Sequence, residues 1–198
     1  QHIGDKNQLR KSFWSLFYVH AIFSVISLFA YVMMVLVIVD NNKNLFWIQG
    51  IYVVSALFDI TWLFYGLENF KEVIIRNAVI KILEALLYIF LIRSPKDILL
   101  YAFINCCVCL LNQMVLIPSA IKELNPVSVT WEECRIHIKP IIFLAVAVIG
   151  ISLYTVADTT LLGIFSTNEN VAFYEYSNRI VKIPLTIASI IGTVLFPH

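Results

Sequence analysis

Asp59-Ile60-Thr61-Trp62-Leu63-Phe64-Tyr65-Gly66-Leu67-Glu68-Asn69-Phe70-Lys71 is the stretch on which the reading of this chain turns. It ends a long apolar run, passes through Gly66 and opens onto a charged loop. It also places an aspartate where hydrocarbon is expected. An acid at that depth is costly unless it is paired or lines water, so membrane proteins that keep one generally use it.

Composition agrees with a membrane setting. Of 198 residues, 60% are hydrophobic and 14% charged, and mean hydropathy is +0.85. Soluble domains are nearer half apolar and about a quarter charged. The net charge of +1 provides no basic surface for nucleic acid. Residues 1–12 are polar, and the apolar run after them is too long for a signal peptide. The chain opens on Gln1 and closes on Phe196-Pro197-His198, and we expect a fragment of a larger membrane protein.

Working outward from Asp59, hydropathy predicts an all-α integral membrane protein. Six helices are expected at 13–39, 45–66, 73–92, 98–120, 140–165 and 174–197. Each approaches the ~20 residues that cross a ~30 Å core. The runs are too long for barrel strands and do not alternate. Lysines and arginines distribute unevenly between the two ends. Lys6, Arg10, Lys11, Lys71, Arg76, Lys81, Lys122, Arg135 and Lys139 gather at one end; Lys43, Arg93, Lys96, Arg179 and Lys182 at the other. The first end, with the N-terminus and loops 67–72 and 121–139, is therefore expected to be cytoplasmic.

Segment 121–139 is the only long polar connection. Asn125-Pro126 should end the helix before it. Ser128 or Thr130 could cap a short interfacial helix, with Glu132 and Glu133 in its first turn. The expected organisation is thus four helices in 1–121, a linker at 122–139 and two helices in 140–198.

Every expected helix carries one polar stripe at helical spacing. The stripes are His20, Ser24, Ser27, Tyr31; then Tyr52, Ser55, Asp59, Trp62, Gly66; then Asn77, Lys81, Glu84, Tyr88; then Asn105, Cys109, Asn112 with Gln113; then Tyr154 or Thr155 with Asp158; and last Arg179, Lys182, Thr186, Ser189, Thr193. In lipid such stripes face one another or a water-filled cavity. At ~1.5 Å per residue, Asp59 lies ~10 Å from the cytoplasmic edge, His20 and Lys81 ~12 Å, and Glu84 ~16 Å, with Asp158 ~27 Å in. We therefore expect an inner cluster of His20, Asp59, Lys81 and Glu84, and an outer one of Asp158, Arg179 and Lys182.

Plainer readings stand beside these. Asp59 either couples transport or forms a structural bond to a neighbouring helix. Lys81 and Glu84 are three residues apart and can simply neutralise each other. His20 suits an interhelical hydrogen bond as well as a proton relay. Arg179 and Lys182 can snorkel to an interface. Pro184 can break the last helix as substrate-binding helices do, or be tolerated without a role. Cys106, Cys107, Cys109 and Cys134 read as small apolar residues, since no metal spacing accompanies them. Phosphate-binding glycine loops, a nucleophile elbow and HExxH are absent, so neither cofactor nor enzyme chemistry is expected.

The stretch Asp59-x-x-Trp62-Leu63-Phe64-x-Gly66-Leu67-Glu68-x-Phe70-Lys71, with Ile75-Arg76-Asn77 and Lys81, resembles the polysaccharide transporter family, the lipid-linked O-antigen repeat-unit flippases. A second match, Tyr154-x-x-x-Asp158-x-x-x-Leu162-Gly163-x-Phe165 followed by Tyr174-x-Tyr176-x-x-Arg179-Ile180, is similar to the start of that family's second lobe. The resemblance implies the two-lobe fold of the multidrug, oligosaccharidyl-lipid and polysaccharide (MOP) exporters. This chain would supply helices 3–6, the interlobe linker and helices 7–8. It implies movement of an undecaprenyl-diphosphate-linked oligosaccharide to the outer leaflet of a bacterial inner membrane, with possible polysaccharide-assembly partners. Lys81, Arg76, Arg179 or Lys182 could meet the diphosphate, and Asp59, Glu84 or Asp158 could take up a coupling proton or sodium. The rivals are a drug or cation exporter of the same superfamily and a polysaccharide-processing membrane enzyme. The mixed-sign stripes speak against the first, and the short outer loops against the second.

Overall fold

Long apolar runs in hydrocarbon must satisfy their backbone polar groups internally, and helices do so within one segment. The computed structural model describes the backbone of residues 6–195 and the side chains of residues 7–122 and 124–186. Among the described residues the regular elements are helices: α1 (Lys6–Val37), α2 (Lys43–Leu57), α3 (Thr61–Gly66), α4 (Phe70–Leu91), a 3-10 turn (Pro95–Asp97), α5 (Ile98–Met114), α6 (Ile117–Glu123), α7 (Trp131–Phe165) and α8 (Asn168–Leu195). The protein is an all-α membrane protein. Four helical segments are long and apolar enough to cross a bilayer: Asn7–Val37, Lys43–Gly66, Pro95–Lys122 and Trp131–Phe165. Helices α4 and α8, where the third and sixth spans were expected, have 22 and 28 residues but carry more charge. Ser189 and Thr193 of the last stripe lie outside the described side chains.

The second expected span is not one continuous helix. It stops at Leu57 and restarts at Thr61. No proline or glycine lies at the break. Instead the Asp59 carboxylate accepts the Thr61 N–H at 3.0 Å, and the Asp59 carbonyl accepts the Trp62 indole N–H at 3.1 Å. A short acidic side chain thus competes with the helical ladder for a backbone donor. In the turn after α3, Gly66 is the last helical residue with open space around it, and the left-handed residue is Glu68, at φ 57°.

The fourth expected span bends after Met114 and resumes as α6, because Pro118 in the first turn of α6 cannot donate back to the Met114 carbonyl. Between α1, α3, α4 and α6 lies an apolar core: Phe13, Ile60, Leu63, Phe64, Val73, Leu116, Ala120 and Leu124. Trp62 stacks on Phe13 with ring centroids 5.4 Å apart and packs against this core.

No separate interfacial helix forms in 121–139. Thr130 does begin a helix, through reciprocal bonds in which the Glu133 N–H donates to Thr130 Oγ1 (3.4 Å) and the Thr130 N–H to Glu133 Oε2 (2.8 Å). That helix then runs on through Pro140 to Phe165 as α7. The segment before it is tied to the first turns of α1. Arg10 donates twice to the Asn125 carbonyl (3.2 and 3.1 Å), Trp14 donates to the Leu124 carbonyl (2.9 Å), and Lys11 pairs with Glu133 at 3.0 Å.

This tie can be tested. Lys11 and Glu133 form an exposed pair, and such a pair contributes about 0–1 kcal/mol. Lys11→Ala is therefore expected to quicken amide exchange in 124–133 by about fivefold at most; an unchanged rate would show that the pair contributes nothing.

The chain divides into two compact units, residues 1–139 and 140–198. In the second, the α7–α8 turn is closed by Asn170, whose side-chain amide donates to Ser166 Oγ at 2.8 Å. Deeper along this pair, Tyr174 donates to Asp158 at 3.1 Å and Thr159 to Glu175 at 2.8 Å.

Candidate functional site

Two of the polar stripes meet across the antiparallel helices α4 and α5. Polar residues at 77, 84 and 88 recur on one face of α4, and those at 101, 105 and 112 on one face of α5. Asn112 donates to Asn77 Oδ1 at 3.2 Å, Asn105 reaches Glu84 and Tyr88 at 3.2 Å each, and Tyr88 stacks on Tyr101 at 4.8 Å. Ile80, Ile104 and Val108 form an apolar layer between the two polar levels.

Glu84 is the centre of one level. Only 6% of the residue is exposed, and each carboxylate oxygen is engaged. Oε1 accepts the Tyr88 hydroxyl (2.9 Å) and the Asn105 amide (3.2 Å), and Oε2 accepts Lys81 Nζ (2.6 Å). The pair with Lys81 is lopsided, because the lysine side chain is 74% exposed and that of Glu84 7%. The cation therefore stays available to its surroundings, while Tyr88 of α4 and Asn105 of α5 add neutral donors to the carboxylate.

Arg76 occupies the other level. It is 7% exposed, and its Nε and Nη2 both donate to the Asn77 side-chain oxygen, at 3.3 and 2.9 Å. That acceptor is neutral. Arg76 Nη1, Asn112 Oδ1 and Gln113 Oε1 are buried without partners. Such unpaired buried groups are unusual, because each costs about 1–3 kcal/mol. Asp59 is near enough for its charge to act on Arg76, although no ion pair forms.

His20 reaches the helix break. Its Nε2 lies 2.7 Å from the Ala56 carbonyl. A carbonyl only accepts, so this bond requires the proton on Nε2. The same carbonyl takes the Asp59 N–H at 3.2 Å.

The expected inner cluster is therefore arranged as two groups. His20 and Asp59 share the α2–α3 break with Arg76 near them, while Lys81 and Glu84 pair with each other. Asp59 and Lys81 do not form an ion pair: among the described residues the ion pairs are Lys81–Glu84 and Lys11–Glu133. The outer residues are not drawn together either. Asp158 bonds Tyr174, and Arg179 and Lys182 are exposed without ion pairs among the described residues. Asn77, Tyr88, Asn105 and Asn112 were visible as stripe members, but their part in holding Glu84 and Arg76 follows only from the register of α4 on α5. Among the described residues no group of three His, Cys, Asp or Glu could hold a metal ion.

The Asp59 turn gives a direct test. Asp59→Asn keeps an oxygen for the Thr61 N–H, whereas Asp59→Ala leaves that donor unsatisfied and should cost ~1 kcal/mol, as loss of a helix cap does. Thermal unfolding in detergent should place Asn close to wild type and Ala below it; coincident curves would show that the carboxylate does not organise the break.

Comparison with known proteins gives two matches. The family profile described as "Polysaccharide biosynthesis protein" matches residues 2–198. A Shigella dysenteriae protein named "Putative O-antigen transporter" is 38% identical over 58 residues, which cover 29% of this chain and 15% of that relative. No solved structure matches the chain.

Proposed function

The chain belongs to the polysaccharide biosynthesis protein family, and from that premise we propose that the protein moves a lipid-linked oligosaccharide from the cytoplasmic to the outer leaflet of a bacterial inner membrane. The observation that carries the reading is the buried α4–α5 seam, where Arg76 and Glu84 sit inside an apolar multi-pass chain. Charges kept at such depth are expensive and are rarely kept for stability alone.

A glycan headgroup cannot cross hydrocarbon, because its hydroxyls would lose their water without replacement partners. Amides and hydroxyls like those of the seam supply such partners. The diphosphate linking glycan to lipid needs cations. Lys81, projecting outward from its pair, and Arg76, with its Nη1 group unspent, are the candidates in 1–139; Arg179 and Lys182 are those in 140–198. Asp59, Glu84 or Asp158 would bind a coupling proton or sodium, and His20 would hold the break beside Asp59. Segment 122–139 would join the two lobes and stay attached to α1 as they rock. No enzymatic step is assigned to the protein.

Complementation tests the proposal. In a strain lacking the intact gene, lipid-linked repeat units should accumulate on the inner leaflet and surface polysaccharide should fall; plasmid-borne wild type should restore both. Undiminished surface polysaccharide in the deletion strain would count decisively against the flippase. Export of cationic drugs with normal polysaccharide would favour the exporter reading instead.

A further inference from the structure

A cavity of ≈ 490 Å³ opens among α1, α2 and α5, at the end of the bundle that carries loops 38–42 and 92–97. No aspartate, glutamate, lysine, arginine or histidine lines it. We propose that this cavity is a separate saccharide subsite, which takes one sugar unit of the glycan headgroup rather than the diphosphate. The proposal deepens the transport reading and rests on it for the source of the sugar.

Size, lining and preorganisation carry the inference. The volume falls within the ~300–1,000 Å³ typical of small-molecule sites. The polar lining consists of Tyr31, Gln49, Tyr52, Tyr101 and Asn105, with no aspartate, glutamate, lysine or arginine. A diphosphate or a cation would find no countercharge there, and an acyl chain would leave the amides and hydroxyls unused. A pyranose suits the mixture. It has a face of C–H bonds, which can lie on the electron-rich face of an aromatic ring, and a rim of hydroxyls that both donate and accept.

The free hydrogen-bonding groups lie on opposing walls. Gln49 and Tyr52 are three residues apart on α2, and Tyr101 and Asn105 four apart on α5, so each pair shares a face. The Gln49 amide and the Tyr52 hydroxyl have no partner among the described residues. Asn105 spends its N–H group on Glu84 and Tyr88, which leaves its oxygen to accept. The aromatic walls are already fixed: Tyr31 donates to the Phe46 carbonyl at 2.7 Å, and Tyr101 is stacked on Tyr88 with the rings 27° apart. Fixed rings lose little freedom when a ligand arrives. Asn105 also belongs to the Glu84 level, so an occupant would touch the residue that holds the buried carboxylate.

The test uses the intact protein in lipid nanodiscs and saturation-transfer NMR. The probes are the methyl glycosides of a hexose and of an N-acetylhexosamine, with inorganic pyrophosphate followed separately by phosphorus NMR. Sugar signals are expected with wild type and should fall at least fivefold in Gln49→Ala and in Tyr101→Ala. Tyr101→Phe, which keeps the ring, should retain them, and pyrophosphate binding should be unchanged throughout. Should Tyr101→Ala fail to fold, Gln49→Leu at an exposed position carries the test, checked by its elution volume. The proposal is overturned if no glycoside gives a signal, if both alanine variants bind as wild type does, or if an alkyl phosphocholine displaces the sugar as well as an alkyl glucoside does. Cavity-dependent sugar binding by a protein that moves no lipid-linked glycan would overturn the transport reading alone. Transport that survives all the cavity variants would overturn the subsite alone.

Discussion

Glu84→Leu is expected to destabilise the intact protein by about 2 kcal/mol, and Glu84→Gln by less than ~1 kcal/mol. The first figure lies between the ~0.6 kcal/mol of an average intramembrane side-chain hydrogen bond and the ~1–3 kcal/mol of an orphaned buried donor. Leucine fills the volume but leaves the Tyr88 hydroxyl without its acceptor and the Asn105 amide with Tyr88 as its one remaining acceptor. Glutamine keeps an oxygen for both. It gives up the charge facing Lys81, but an ion pair whose cation is this exposed contributes only ~0–1 kcal/mol. Denaturant titration in mixed micelles, followed by tryptophan fluorescence, measures the difference. Equal destabilisation by Leu and Gln would show that the charge, not the hydrogen-bond network, holds α4 to α5. If the seam also serves transport, Glu84→Leu should reduce flipping beyond what its lower abundance explains.

Arg76→Met separates stability from function more sharply. Burying a charge that has no ion-pair partner is costly, so an apolar side chain of similar length relieves a desolvation penalty. Arg76 fits that description, since its hydrogen bonds go to the neutral Asn77 oxygen and Nη1 has none. The variant is therefore expected to be as stable as wild type or more so. Under the proposed function its transport should fall ~100-fold, the consequence of losing a charged hydrogen bond worth ~3 kcal/mol to the moving substrate. Arg76→Lys should lie between the two, because it keeps the charge without the planar fork. Repeat-unit flipping into vesicles, set beside unfolding curves of the same preparations, gives both readouts. A Met variant with full transport would make Arg76 a structural remnant; one that no longer folds would mean that the Asn77 contacts and the field of Asp59 outweigh the desolvation of the guanidinium.

Much of the architecture was legible in the residues. Hydrocarbon leaves an apolar run of this length little choice but to be helical, so the helix positions followed from hydropathy. The family resemblance, read from the Asp59–Lys71 stretch and its partner around Asp158, agrees with the profile match over residues 2–198. The polar stripes were also legible, because side-chain direction repeats every 3.6 residues. Two of them, on α4 and α5, do face each other. The α1–linker tie was missed: Arg10 and Trp14 bond backbone carbonyls, and a carbonyl acceptor leaves no mark in side-chain sequence.

The Asp59 stretch shows where sequence stops and tertiary structure begins. The residues alone established that a costly acid closes an apolar run, beside a turn that leads into a charged helix. They could not show that this carboxylate breaks its own helix, since the contest between a side-chain oxygen and a backbone carbonyl for the Thr61 N–H is decided by local geometry. Nor could they choose its electrostatic neighbour. Periodicity gives the angle of a residue around its own helix, but not the rotation and height of the helix beside it. Only the packed bundle joins Glu84 to Asn105 of α5, sets Arg76 in the field of Asp59, and puts Glu68 in the left-handed turn.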